Sequence, residues 1–84
     1  MVDETEVNAG LAEIRRLLNA DGGDMELVAV DRDQGVVHTR LVLDGIRCRE
    51  CVLPRTMLER VGLDILHKLT PGVTELRIDD PREA

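Results

Sequence analysis

Two cysteines, Cys48 and Cys51, are the residues of this chain best suited to metal or redox chemistry. A gap of two residues lets both sulfurs reach one point, where they can bind the same metal ion or cluster, or exchange electrons as a dithiol and a disulfide. Two thiolates alone do not complete a tetrahedral thiolate site. A metal bound by this pair therefore needs further ligands from elsewhere.

The residues around the pair predict a loop that leaves a strand and leads into a helix. Asp44 and Gly45 end a predicted strand, and Pro54 suits the first turn of a helix. We expect the sulfurs to lie near the amino end of that helix, where its dipole favours thiolates. Glu50 partly opposes the positive charge that three arginines add around the pair: Arg47, Arg49 and Arg55.

The elements that must position the pair are predicted from the spacing of apolar residues. Helical spacing predicts amphipathic helices over about residues 5–19 and 54–69, and apolar alternation predicts strands over 25–30, 36–43 and 73–79. The helical faces contain these residues: Val7, Leu11, Ile14, Leu17, Leu18; Met57, Leu58, Val61, Ile65, Leu66, Leu69.

Strand alternation predicts which side chains share a face of the sheet. In the second strand, we expect one face to consist of Val37, Thr39, Leu41 and Leu43. In the first strand, we expect Leu27 and Ala29 on one face and Val28 and Val30 on the other. In the third, Thr74, Leu76 and Ile78 face away from Val73, Glu75 and Arg77, and residues 80–84 are expected to fray.

The predicted fold class is α+β, a small two-layer domain with the order α-β-β-α-β. Two helices accompany a three-stranded mixed sheet, in which the second helix connects strands two and three in parallel. The 84 residues suffice for one domain, residues 1–84 with an ordered core at about 5–79. A chain of this size buries only about 60% of its unfolded surface, so the core is thin.

Charge and composition narrow the classes of function. The formal net charge of -6 opposes binding to phosphate backbones, and the absence of Phe, Tyr and Trp removes any base-stacking platform. We therefore expect no nucleic-acid partner. The acidic amino end and the absence of a long apolar run predict a cytoplasmic protein with no membrane association. Close cysteines in a reducing compartment favour metal or redox chemistry over a structural disulfide.

Several landmarks together resemble the C-terminal, cysteine-pair domain of the NifU family, the Nfu-type iron-sulfur carriers and scaffolds. The resemblance covers about residues 10–79. It rests on the run at 17–28 (Leu-Leu-Asn-Ala-Asp-Gly-Gly-Asp-Met-Glu-Leu-Val), Gly35-Val36-Val37, Cys48-x-x-Cys51, Leu58, and Pro71-Gly72-Val73. The cysteine pair falls in the loop where that family carries its own pair.

The resemblance implies a function that supplies the missing ligands. Cys48 and Cys51 of each chain would provide two thiolates, and a homodimer four, to hold a [4Fe-4S] cluster between subunits. The activity implied is delivery of the cluster to apo iron-sulfur proteins, so no enzymatic turnover is expected.

Three alternatives use the same loop. Zinc can bind two cysteines with two other ligands, or four cysteines in a dimer. The two histidines are poorly placed as the other ligands, because His38 belongs to a predicted strand and His67 to the far end of the second predicted helix. A C-x-x-C at a helix start also suits thiol-disulfide exchange. A degenerate interaction module is suggested by departures from the family pattern: Ile46 and Arg47 lengthen the approach to Cys48, Arg49 and Glu50 are bulky, and Val52 replaces a proline.

Overall fold

A computed structural model describes residues 2–44 and 52–83 of the chain. The elements run in the order α-β-β-α-β, followed by one 3-10 turn at the carboxyl end. They are α1 (Glu4–Asn19), β1 (Asp24–Asp31), β2 (Val36–Val42), α2 (Arg55–Leu69), β3 (Glu75–Asp79) and the C-terminal turn (Pro81–Glu83). The predicted α+β class and element order are confirmed.

Strand β2 lies at the centre of the sheet, whose order is β1-β2-β3. It pairs antiparallel with β1, whose first residue Asp24 lies opposite Val42. It pairs parallel with β3, whose last residue Asp79 lies opposite Arg40. The start of β1 and the ends of β2 and β3 therefore share one edge of the sheet. The described chain stops at Asp44 and resumes at Val52 at this edge.

The core lies between one face of the sheet and the two helices. The predicted alternation of β2 is confirmed, because Val37, Thr39 and Leu41 are buried while Arg40 is exposed. Helices α1 and α2 pack against each other and contribute buried side chains on their inner faces: Val7, Leu11, Ile14, Leu18, Leu58 and Leu66. Three residues that helical spacing assigned to these faces are instead exposed: Leu17, Met57 and Leu69.

The predicted alternation of β1 is wrong in the second half of the strand. Its register against β2 shifts between Leu27 and Ala29, as it does at a β-bulge. One extra residue reverses the alternation, so Val30 packs against the core on the side of Leu27, while Val28 and Ala29 are exposed.

The third strand starts two residues later than predicted, because a turn precedes it, in which the Val73 backbone N–H donates to the Thr70 carbonyl oxygen at 3.0 Å. Thr74 donates its backbone N–H to the carbonyl oxygen of Gly35 at 2.8 Å and its hydroxyl to that of Gln34 at 2.7 Å. Thr74 is exposed and Val73 is buried, the reverse of the predicted faces. Leu76 and Ile78 are buried as predicted.

The carboxyl end also differs from the prediction that it frays. Asp80 is buried, and residues 81–83 form the C-terminal turn. Arg82 reaches back to the chain that precedes α2, as described below. No helix within residues 2–44 and 52–83 has the length and apolarity needed to cross a membrane.

Candidate cysteine site

Both predicted site residues, Cys48 and Cys51, lie outside the described residues, as do Arg47, Arg49 and Glu50. The chain on either side of them is described. Asp44 is exposed in a turn two residues after β2, and Val52 is 5% exposed and belongs to the core. In sequence, the cysteines therefore lie between an exposed turn and a residue anchored in the core.

The helix that follows begins at Arg55, four residues after Cys51. Pro54 is the N-cap and not part of the first turn, so the helix starts one residue later than predicted. The Pro54 carbonyl oxygen accepts from the backbone N–H groups of Met57 and Leu58. Among residues 2–44 and 52–83 no side chain caps this terminus, and the first turn carries no acidic residue. The positive end of the helix dipole is therefore not offset by a carboxylate of its own first turn.

Arg55, one of the three arginines predicted to add positive charge around the thiols, is paired with two carboxylates. Its Nε donates to Glu83 at 2.8 Å, and its Nη1 donates to Glu59 at 2.8 Å. These hydrogen bonds raise the pKa of Arg55, with the larger contribution from Glu83. The other oxygen of Glu59 accepts the backbone N–H of Ile78 at 2.9 Å, which links the start of α2 to β3.

A second arginine, Arg82, holds the backbone directly after the cysteine pair. Its Nη1 donates to the carbonyl oxygen of Val52 at 2.9 Å, and its Nη2 to that of Leu53 at 2.8 Å. The same guanidinium binds Asp80, with Nη2 2.6 Å from Oδ2, and this hydrogen bond is the main reason why the pKa of Arg82 is raised. Only 1% of the Asp80 side chain is exposed.

The sequence interpretation missed this pair of residues, although one local signal was present. Asp80 is followed by Pro81, and an aspartate before a proline is a common way to start a helical turn. The backbone N–H of Arg82 indeed donates to Asp80 Oδ1 at 2.8 Å. The contacts to Val52 and Leu53 span 29 to 30 positions and have no sequence signal.

An apolar groove of about 210 Å³ lies between α1 and α2 beside the point where the described chain resumes. Val52 and Leu53 line it together with Leu17, Leu58 and Val61. Leu17 is 60% exposed and Leu53 is 44% exposed, so apolar surface faces solvent here. Sequence spacing placed Leu17 in the core and gave no sign of this surface.

Neither histidine lies at the described ends of the cysteine loop. His38 pairs with Ala29 and Arg77 inside the sheet, four residues before β2 ends. His67 lies about 18 Å along α2 from Arg55. Its Nδ1 is 3.2 Å from the carbonyl oxygen of Val73. Within residues 2–44 and 52–83, no three His, Cys, Asp or Glu side chains group closely enough to hold a metal ion.

Comparison with known proteins assigns no family to the chain: no family model matches it, and neither does any curated protein.

Proposed function

We propose that this chain is an iron-sulfur cluster scaffold or carrier of the NifU type, which binds a [4Fe-4S] cluster as its cargo and passes it to apo-proteins. The observation that carries the proposal is the position of the C-x-x-C pair. β2 ends at Val42 and α2 begins at Arg55, and both cysteines occur in the sequence between these bounds. This is the loop in which the family carries its pair.

The donor set of the chain fits half of such a site. Cys48 and Cys51 supply two thiolates per chain, and four thiolates are the usual complement of a [4Fe-4S] cluster. The amino end of α2 is close in sequence to Cys51 and has no acidic residue in its first turn, so its dipole favours negative charge on sulfur. The proposal includes a homodimer and a cytoplasmic setting, where reducing conditions keep close thiols from forming a disulfide.

Anaerobic reconstitution with ferrous iron and sulfide tests this proposal directly. We expect a brown dimer with about one four-iron cluster per two chains, measured by iron and sulfide analysis and by sedimentation. Because the chain has no Trp or Tyr, cluster absorption in the near ultraviolet is free of aromatic bands. A colourless monomer after this treatment would exclude the carrier function.

Replacing one ligand separates cluster binding from folding. Cys48→Ser should abolish the colour and the metal-dependent dimer, while the far-ultraviolet circular dichroism stays that of the parent protein. The fold should persist because the core of the described chain consists of other side chains. Full cluster content in Cys48→Ser would show that the ligand assignment is wrong.

Two further measurements distinguish the alternatives. Metal analysis of freshly purified protein separates zinc from iron, and zinc at one ion per two chains would favour a four-cysteine zinc site in a dimer. A reversible intramolecular disulfide, with catalysis of disulfide reduction, would instead favour thiol-disulfide exchange.

A further inference from the structure

The contact between the C-terminal turn and the chain after the cysteine pair points to a role for the carboxyl end in the site. Val52 and Leu53 are the first described residues after Cys51. Their two consecutive carbonyl oxygens accept from one guanidinium, that of Arg82, at 2.9 and 2.8 Å. The backbone at this point is therefore fixed by a charged group from a segment 29 to 30 residues away.

Arg82 is itself held in place. The Asp80 carboxylate accepts from its Nε at 3.0 Å and from its Nη2 at 2.6 Å, and only 19% of the Arg82 side chain is exposed. A planar guanidinium with a fixed fork of donors can hold a carboxylate and two carbonyls at once. The side chain therefore has little freedom to leave the two carbonyls.

A second link ties the same turn to α2 without touching those carbonyls. Glu83 accepts from Arg55 at 2.8 Å, and Arg55 also binds Glu59. The second carboxylate oxygen of Glu59 accepts the backbone N–H of Ile78. Loss of Glu83 would loosen the turn but leave the contacts of Arg82 to Val52 and Leu53. The chain thus offers a control that breaks the link between the turn and Arg55 but keeps the two carbonyl contacts of Arg82.

We propose that Arg82, oriented by Asp80, is a positioning residue of the cysteine site, which fixes the backbone directly after Cys51 and so slows loss of the bound cluster. The proposal rests on the proposed function. Residues that orient metal ligands from outside the coordination sphere commonly change metal affinity 10-fold to 100-fold, so release should quicken by about tenfold or more when these contacts are lost.

Arg82→Lys is the informative variant, because lysine keeps a positive charge beside the buried Asp80 carboxylate. Its ammonium is a compact donor on a flexible stem, so it cannot reproduce the fork that holds both carbonyls. Arg82→Ala would remove the guanidinium that binds the buried Asp80 carboxylate and is more prone to unfold. Glu83→Gln is the matched control, and thermal unfolding of all variants shows how much each loses in stability.

The experiment measures iron loss from the reconstituted protein to excess bipyridyl, followed under anaerobic conditions by the fading cluster absorption. We expect Arg82→Lys to lose iron about tenfold faster than the parent. Glu83→Gln should lose iron at a rate within about twofold of the parent rate, even if the two variants have the same melting temperature. Equal rates for the parent and Arg82→Lys would overturn the role of Arg82 and leave the carrier function standing.

A second readout makes the two proposals separable. If the parent protein takes up no cluster, the carrier function fails, and Arg82 is then judged in the apo-protein. There, alkylation by N-ethylmaleimide is followed by peptide mass spectrometry, and Arg82→Lys should change the rate at Cys51 by about tenfold, with a smaller change at Cys48. An unchanged ratio of the two rates would overturn the positioning role.

Discussion

At the scale of single residues, Gly35 links the turn between β1 and β2 to the chain that precedes β3. Its φ of 72° lies in the left-handed region, and its carbonyl oxygen accepts from the backbone N–H of Thr74. A Cβ at this position would overlap the carbonyl oxygen of Gly72. Both the backbone conformation and the space available therefore require glycine here.

Gly35→Ala should lower the free energy of unfolding by at least about 2 kcal/mol. Left-handed backbone costs a residue with a Cβ about 1 to 2 kcal/mol, and the Gly72 carbonyl, which is backbone, must also move away. Urea unfolding followed by circular dichroism measures the change. Gly23→Ala is the control, since Gly23 has no positive φ and its nearest contact would be 3.4 Å, from Val42. Equal losses in the two variants would contradict this account of Gly35.

At the scale of elements, an ion pair links α1 to the first residue of β1. Arg15 donates to Asp24 through Nε at 2.7 Å and through Nη2 at 3.1 Å, and the Met25 backbone N–H also donates to Asp24 at 2.8 Å. These hydrogen bonds, led by that of Arg15, hold the pKa of Asp24 below its ordinary value. The ionised carboxylate is therefore favoured in the folded state.

This shift predicts how stability depends on pH. Because the folded pKa is lowered, the contribution of Asp24 is complete above the unfolded value of about 3.9 and is lost as the pH falls through the folded pKa. The difference in unfolding free energy between the parent and Asp24→Asn should be constant from about pH 5 to 7 and shrink below about pH 4. Urea titrations at several pH values measure it. The exposed Asp64, which makes no ion pair with the described residues, supplies the control Asp64→Asn; a parallel decline in both variants would contradict the prediction.

Elements with one buried face could be predicted closely from the sequence. The alternation of β2 was correct at Val37, Thr39 and Leu41, because a period of two leaves one consistent apolar face. The bulge in β1 could not be predicted, since the run from Leu27 to Val30 is apolar at every position and alternation carries no signal there. The exposure of Leu17 could not be predicted either, because helical spacing does not define how wide the covered face is.

Only part of the cysteine site could be predicted from the sequence. The spacing of Cys48 and Cys51 identifies the donors and the resemblance identifies a cargo, and both stay predictions because these residues lie outside the described chain. The anchor on the far side of the pair depends on contacts between residues distant in sequence. Only the fold brings Arg82 to Val52 and Leu53.

At the scale of the whole molecule, the charge determines what kind of contact a dimer can use. Each chain carries a formal net charge of -6, so two copies repel each other at long range. An apolar contact would offset this repulsion. The groove lined by Leu17, Val52 and Leu53 places apolar surface next to Val52, the first described residue after Cys51, and we expect the proposed dimer to use it.

Leu17→Asp therefore tests whether this groove is part of the dimer contact. The side chain is 60% exposed, so the monomer should lose little stability, while a carboxylate in an apolar contact between two acidic chains should weaken the cluster-bound dimer about tenfold or more. Sedimentation equilibrium of the reconstituted protein measures the dissociation constant. Leu69→Asp is the matched control, because Leu69 is 44% exposed at the opposite end of α2. If both variants weaken the dimer equally, added charge alone accounts for the effect, and the groove is not the contact.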